Sequence, residues 1–323
     1  VLSRKILSAS QAAASSAPAD EVAQASGTSV SNTLLPSTVV CYTNGVSDTL
    51  EAHTIQGYYR AVSGNLYSST TLFSSEGAAS HSSAYRKGTT HNSTSGTYNS
   101  LNDGYYDDMG YDSSDYPLIT YAVAAGRRDA RWQCNWVRDH LPAHLDSNTD
   151  SLCIELFVNN WENYVSYSRL VSASGWKVDA PAGFELNYRS TSDTVLEQSH
   201  NWGEGSSNRV GDFYESVGEK DWVHYSWLWD FENARVAHHR DGSEIYSSSD
   251  SNLPTAANWT TADDGTYSNL DALMLGYDAN EHSTQAMWAY YMEIIISVDD
   301  STKQARYGNS FTPSTTPLIA GGS

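Results

Sequence analysis

His224 lies within Asp221–Tyr246, which reads D-W-V-H-Y-S-W-L-W-D-F-E-N-A-R-V-A-H-H-R-D-G-S-E-I-Y. An imidazole with a tyrosine nearby can take and return a proton, the minimum that proton abstraction from a sugar requires. With 22 tyrosines in the chain, a Tyr beside a His is not by itself a sign of catalysis. Strand alternation is more informative. It places Val223, Tyr225, Trp227 and Trp229 on one face, and Trp222, His224, Ser226, Leu228 and Asp230 on the other. The first set is the natural core face. His224 is then an acid/base group only if a substrate groove opens on the opposite face.

Other ligand-bearing residues point to metals. His238 and His239 are adjacent, so on a strand they face opposite ways and do not share one ion. His140 and His144 have helical i, i+4 spacing, but Pro142 between them argues against a helix. Asp103, Asp107, Asp108, Asp112 and Asp115 offer the hard oxygens that calcium prefers, without EF-hand spacing. Asp103, Asp107, Asp108 and Asp112 are the candidate calcium ligands, calcium being the one cofactor considered. A solvated acidic loop is the plainer reading. Cys41, Cys134 and Cys153 have neither disulfide-framework nor zinc-knuckle spacing. Buried free thiols, suited to folding in a reducing cytoplasm, are expected instead.

The elements that must carry these residues are strands. Short apolar or aromatic runs alternate with turn clusters from Thr38 onward. Strands are expected at Thr38–Thr43, His53–Arg60, Leu118–Ala124, Arg131–Arg138, Ser151–Val158, Tyr164–Leu170, Gly175–Val178, Gly183–Tyr188 and Trp222–Trp229. Arg235–Arg240, Ser243–Ser247, Leu270–Gly276 and Ala286–Ile296 complete the set. A polar turn is expected at Phe231–Ala234, and Asp241-Gly242 favours a tight hairpin turn. Residues 1–35, rich in Ala and Ser, read as an extended N-terminal arm, either flexible or a strap ordered against neighbouring subunits. Residues 36–310 form the β-sandwich, with a long exposed insertion over residues 73–116, and 311–323 form an extended tail.

Charge narrows the partners. The net charge is −20, from 18 Lys plus Arg against 38 Asp plus Glu. An acidic surface repels phosphate backbones and anionic lipid, so neither nucleic acid nor a membrane surface is an expected partner. It also disfavours highly anionic polysaccharides. No run of 18 apolar residues or long apolar leader is evident in the sequence.

Trp222-Val-His-Tyr-Ser-Trp-Leu-Trp-Asp, followed by Arg235-Val-Ala-His-His-Arg-Asp-Gly, resembles the laminin-G/concanavalin A-like jelly roll. There, a W-x-H-x-x-x-x-x-D strand precedes a hairpin ending in D-G. Leu273-Met-Leu-Gly-Tyr-Asp and Tyr290-Tyr-Met-Glu-Ile-Ile-Ile-Ser-Val-Asp are similar to its later strands, so the match spans Asp221–Asp300. The opening Leu2-Ser-Arg-Lys-Ile-Leu-Ser-Ala-Ser and Gln304-Ala-Arg-Tyr-Gly-Asn-Ser-Phe resemble segments of tailed-phage virion proteins.

The resemblance implies an all-β, concanavalin A-like sandwich of two antiparallel sheets, with sugar, calcium or protein bound on a sheet or at its rim. It implies a non-enzymatic virion protein at the capsid or tail, assembled in a host cytoplasm and contacting itself and other virion proteins. A host-surface glycan adhesin is the alternative, with Trp202, His224 and Tyr277 as sugar contacts. A lyase or hydrolase of the same fold is the third reading. The E-x-D-x-x-E strand of related glucanases and the R-x-E-L and Q-I-H strands of related alginate lyases are missing, as are Gly-x-Ser-x-Gly, a P-loop and His-Glu-x-x-His.

Overall fold

Runs rich in Val, Ile, Tyr and Trp with alternating faces put most of the described chain into strands. The computed structural model describes residues 27–43, 54–76, 89–92, 97–100, 119–123, 131–162, 169–172, 183–188, 195–201, 209–216, 222–249, 255–256, 273–277 and 287–298. The strands are β1 (Gly27–Val30), β2 (Val39–Thr43), β3 (Thr54–Arg60), β4 (Leu66–Glu76), β5 (Thr89–Asn92) and β6 (Thr97–Ser100). Next come β7 (Ile119–Val123), β8 (Arg131–Cys134), β9 (Ser151–Glu162), β10 (Arg169–Ser172), β11 (Gly183–Tyr188) and β12 (Val195–Asn201). The last are β13 (Arg209–Ser216), β14 (Trp222–Asp230), β15 (Arg235–Arg240), β16 (Ser243–Ser249), β17 (Leu273–Tyr277) and β18 (Met287–Val298).

The protein is an all-β antiparallel sandwich. Hydrogen bonding runs continuously in the order β13-β12-β11-β10-β17-β8-β4-β3-β2-β18-β9-β14-β15-β16, with β1 on β4 and β7 on β18. One apolar core joins distant parts of this path. Ile154, Leu156, Trp227, Trp229, Val236 and Ile296 lie in the same buried cluster as Phe73, Cys134, Val171, Leu273 and Leu275. The ribbon of strands therefore folds over on itself, as the two-layer burial of large apolar faces requires. Val223, Tyr225, Trp227 and Trp229 are all in that core, as alternation along β14 predicts.

The local turn chemistry also follows the sequence. Asp241 and Gly242 have φ of 49° and 76°, the left-handed pair of a two-residue hairpin between β15 and β16. The Phe231–Ala234 turn is held by the Asp230 carboxylate, which accepts from the backbone N–H of Asn233 at 3.1 Å and from its side-chain amide at 2.9 and 3.0 Å.

Four departures matter. The expected strand Arg131–Arg138 ends at Cys134 and gives way to a helical turn, Trp136–Asp139, then a 3-10 turn, Leu141–His144, with Pro142 in its first turn. β4, β12 and β13 were not expected, because Ser, Thr, Glu and Gln dilute their apolar alternation. Residues 27–35, expected in the arm, add β1 to β4 and are packed into the sandwich through Leu35. Within the expected insertion, β4 continues to Glu76 and β5 pairs with β6 as a separate ribbon. Gly175–Val178 and residues 311–323 lie outside the described residues.

Arg60 fastens the N-terminal segment. Its guanidinium donates to the carbonyls of Leu35, Pro36, Val39 and Gly64 at 2.9–3.2 Å, and to Asn32 Oδ1 at 3.4 Å. Carbonyl dipoles alone satisfy this planar donor fork, and burial lowers the Arg60 pKa from its usual value.

Candidate functional site

Paired residues in an antiparallel sheet share a face. Register therefore aligns Tyr42, Ile295, Glu155, Ser226, His239 and Glu244 in one row across β2, β18, β9, β14, β15 and β16. This is the face opposite the aromatic core. It is polar yet buried: Glu155, Ser226 and His239 are each no more than 2% exposed. His224, one step along, is 1% exposed, and its Nε2 lies 3.1 Å from Glu155 Oε2. Its ring packs on Phe157 with centroids 4.8 Å apart.

His224 is also tied at its backbone. Its N–H donates to Asp241 Oδ1 at 3.0 Å, and its carbonyl accepts from the Asp241 N–H at 2.9 Å. The Asp-Gly turn thus locks against the end of β14 where His224 sits. Farther across the face, the Tyr42 hydroxyl donates to Glu293 Oε1 at 3.3 Å. Glu293 is a bulge residue with φ of 47°, at the register shift between β18 and β9.

The neighbouring histidines separate as adjacent strand residues must. His238 packs against Tyr246 on the core side, ring centroids 5.4 Å apart and planes inclined at 57°, while His239 Nε2 lies 3.8 Å from Glu244 Oε2 on the polar face. Burial, then the charge of His239, pulls the His238 pKa down to about 3. Burial likewise pulls His239 down to about 4, against the opposing attraction of Glu244. Among the described residues, no cluster of three or more His, Cys, Asp or Glu could hold a metal.

A second, open site lies where β4 meets β8. Ser74 stands opposite Gln133, and just before it β4 bulges: the pairs Ile55–Phe73 and Gly57–Ser69 are two residues apart on β3 but four on β4. The bulge packs onto Gly57, where a Cβ would fall 2.1 Å from Leu72 Cδ2 and 2.6 Å from the Tyr42 carbonyl oxygen. It leaves a cleft of about 140 Å³ between Ser69, Thr71 and Ser74 on one side and Gln133, Asn135 and Trp136 on the other. Gln133 Nε2 donates to Asn135 Oδ1, and Trp136 packs against His140, which also lines the cleft, and His144, with ring centroids at 6.2 and 5.6 Å. Asp139 adds a carboxylate to the lining.

Of the residues singled out as sugar contacts, only His224 has its side chain among the described residues. His224 is enclosed, so in this structure it offers no surface to a sugar. Tyr277 ends β17, its backbone paired with Arg169; its side chain lies outside the described residues. Trp202 and Asp103, Asp107, Asp108, Asp112 and Asp115 also lie outside them. Cys41, Cys134 and Cys153 are buried and not in disulfides; burial and a hydrogen bond with Cys134 raise the Cys41 pKa well above its usual value. Glu155 and the cleft residues were missed. The alternation of Cys153-Ile-Glu-Leu-Phe-Val puts Glu155 on the face opposite Ile154 and Leu156, and that was the available signal.

No family model and no curated relative matches the sequence. Solved structures with a similar course include the botulinum neurotoxin serotype D binding domain, at TM-score 0.42 and 8% identity over 81% of this chain and 48% of that one. The Ruminococcus gnavus IT-sialidase CBM40 bound to α2,3-sialyllactose gives 0.39 and 12%, over 58% of this chain and 96% of that one. A carbohydrate esterase of Shiga toxin-encoding bacteriophage phi24B gives 0.39 and 10%, over 71% and 90%. The chain spans about half the length of the neurotoxin domain it matches. These similarities are too distant to bear on function.

Proposed function

We propose that this chain is a non-enzymatic structural protein of a virus particle that presents a lectin-like β-sandwich. The observation that carries the non-enzymatic part is the enclosure of Glu155 and His224, 2% and 1% exposed. A general acid or base must reach the proton it transfers within hydrogen-bond distance or through one water. This pair reaches only its own neighbours. The setting on a virion rests on the resemblance of Leu2–Ser10 and Gln304–Phe311 to phage structural proteins.

A second reading, a glycan-binding adhesin on that particle, is favoured by the open cleft beside Trp136. Both readings are tested by incubating the full chain with an immobilised glycan array, then measuring retention and the masses of the glycans afterwards. Retention with unchanged masses supports the adhesin. No retention and no turnover leaves the structural reading alone, and cleaved or unsaturated products overturn both.

A further inference from the structure

We infer that the cleft between the β4 bulge and the Gln133–Trp136 segment is a binding site for one ring of an uncharged sugar. The inference rests on the glycan-binding reading above and assigns its site and ligand class. Three features of the lining carry it.

The first is the kind of polar group present. Ser69, Thr71 and Ser74 bring hydroxyls, and Gln133 and Asn135 bring amides. Hydroxyls and amides each donate and accept, which is what a ring of neighbouring alcohols requires of its partners. Ligand sites combine a few such groups with aromatic or apolar walls, here Trp136 and Leu72.

The second is size. At about 140 Å³ the cleft is well below the roughly 300–1,000 Å³ of sites for drug-sized ligands, so it takes a single terminal ring, with the rest of a chain outside.

The third is charge. No Lys or Arg lines the cleft, whereas the Asp139 carboxylate does, beside the His140 imidazole. Arg138 beside it is already engaged, its Nε and a terminal nitrogen donating to the two Asp139 carboxylate oxygens at 2.7 and 3.0 Å. A sialic or uronic acid would bring its carboxylate towards Asp139 on a chain of net charge −20. Anionic sugars are therefore disfavoured.

Backbone pairing sets the position of the cleft walls. The Ser74–Gln133 pairing fixes one wall, the bulge over Gly57 fixes the other, and the helical turn Trp136–Asp139 follows directly from β8. Such preformed geometry lowers the ordering cost of binding.

The test uses the full chain on an array carrying neutral glucose-, galactose-, mannose- and N-acetylhexosamine-terminated glycans beside sialylated and uronate-bearing ones. Calorimetry with the methyl glycoside of the best terminal sugar follows. Wild type is expected to retain neutral glycans only. Gln133→Ala, which removes an amide, and Ser74→Trp, which fills the cleft, should each weaken binding by about tenfold or more. Melting temperatures serve to show that both variants fold. Neutral-glycan binding unchanged in both folded variants would overturn this site while leaving the glycan-binding reading intact. Retention of anionic glycans alone would overturn the ligand class. No retention of any glycan would remove the glycan-binding reading, and this site with it.

Discussion

Glu155 and His224, 69 residues apart in sequence, meet at 3.1 Å between Oε2 and Nε2 on a sheet face that excludes solvent. Together they have the composition of an acid/base pair and the location of a structural one. A buried polar group left without its partner costs about 1–3 kcal/mol, whereas replacing both partners by apolar groups can be near neutral.

Glu155→Leu is therefore expected to lower unfolding free energy by about 2–3 kcal/mol, and Glu155→Gln by less, since the amide can still hydrogen-bond. The double variant with His224→Phe should cost less than the sum of the single changes, a coupling that urea unfolding measures directly. Additive losses would mean that the two side chains do not interact.

The histidines predict the pH dependence of stability. His238 and His239 have folded pKa values of about 3 and 4, below the usual 6.5. Between those values and 6.5 the unfolded chain binds more protons than the folded one, so stability increases with pH there. The contribution is complete above pH 6.5, falls as pH drops below it, and levels off below the folded values. A loss on the order of a few kcal/mol is expected between pH 6.5 and 4. Urea midpoints across that range check it, and His238→Phe should flatten part of the slope.

Gly57 underlies the open cleft. A methyl group there meets Leu72 at 2.1 Å and the Tyr42 carbonyl at 2.6 Å, so Gly57→Ala must push the β4 bulge away. The expected cost is about 1–3 kcal/mol, the range for overpacking a fitted interior. Gly242→Ala places a side chain at φ of 76° in the β15–β16 turn and should cost about 1 kcal/mol by strain alone. Thermal unfolding measures both costs; only Gly57→Ala is expected also to alter the cleft, seen as a change in intrinsic fluorescence that is lost in a Trp136→Phe background.

Arg60 makes a sharper stability prediction. Arg60→Lys keeps the charge but loses the planar fork that reaches four carbonyls, so it should destabilise by about 2 kcal/mol. Proteolysis should then begin between Ser31 and Val39, the segment that Arg60 holds. Cleavage elsewhere first would contradict that role.

What the sequence makes legible is local. The β14–β16 run, its two turns and the inward set Val223, Tyr225, Trp227 and Trp229 follow from alternation of period two and from Asp-Gly chemistry. Glu155 and the cleft depend on pairings between distant strands, β9 with β14 and β4 with β8, which no local pattern encodes. β4 itself, L-Y-S-S-T-T-L-F-S-S-E, is hidden because its hydroxyl residues read as a loop, and some of those residues line the cleft.

That the sandwich is not an enzyme is tested most directly by mass analysis of array glycans after prolonged incubation with the full chain. Every glycan is expected at its original mass, and any that is retained is expected to end in a neutral sugar. Hydrolysed or unsaturated products that disappear in Glu155→Gln or His224→Gln would contradict it, by showing that the buried pair reaches substrate.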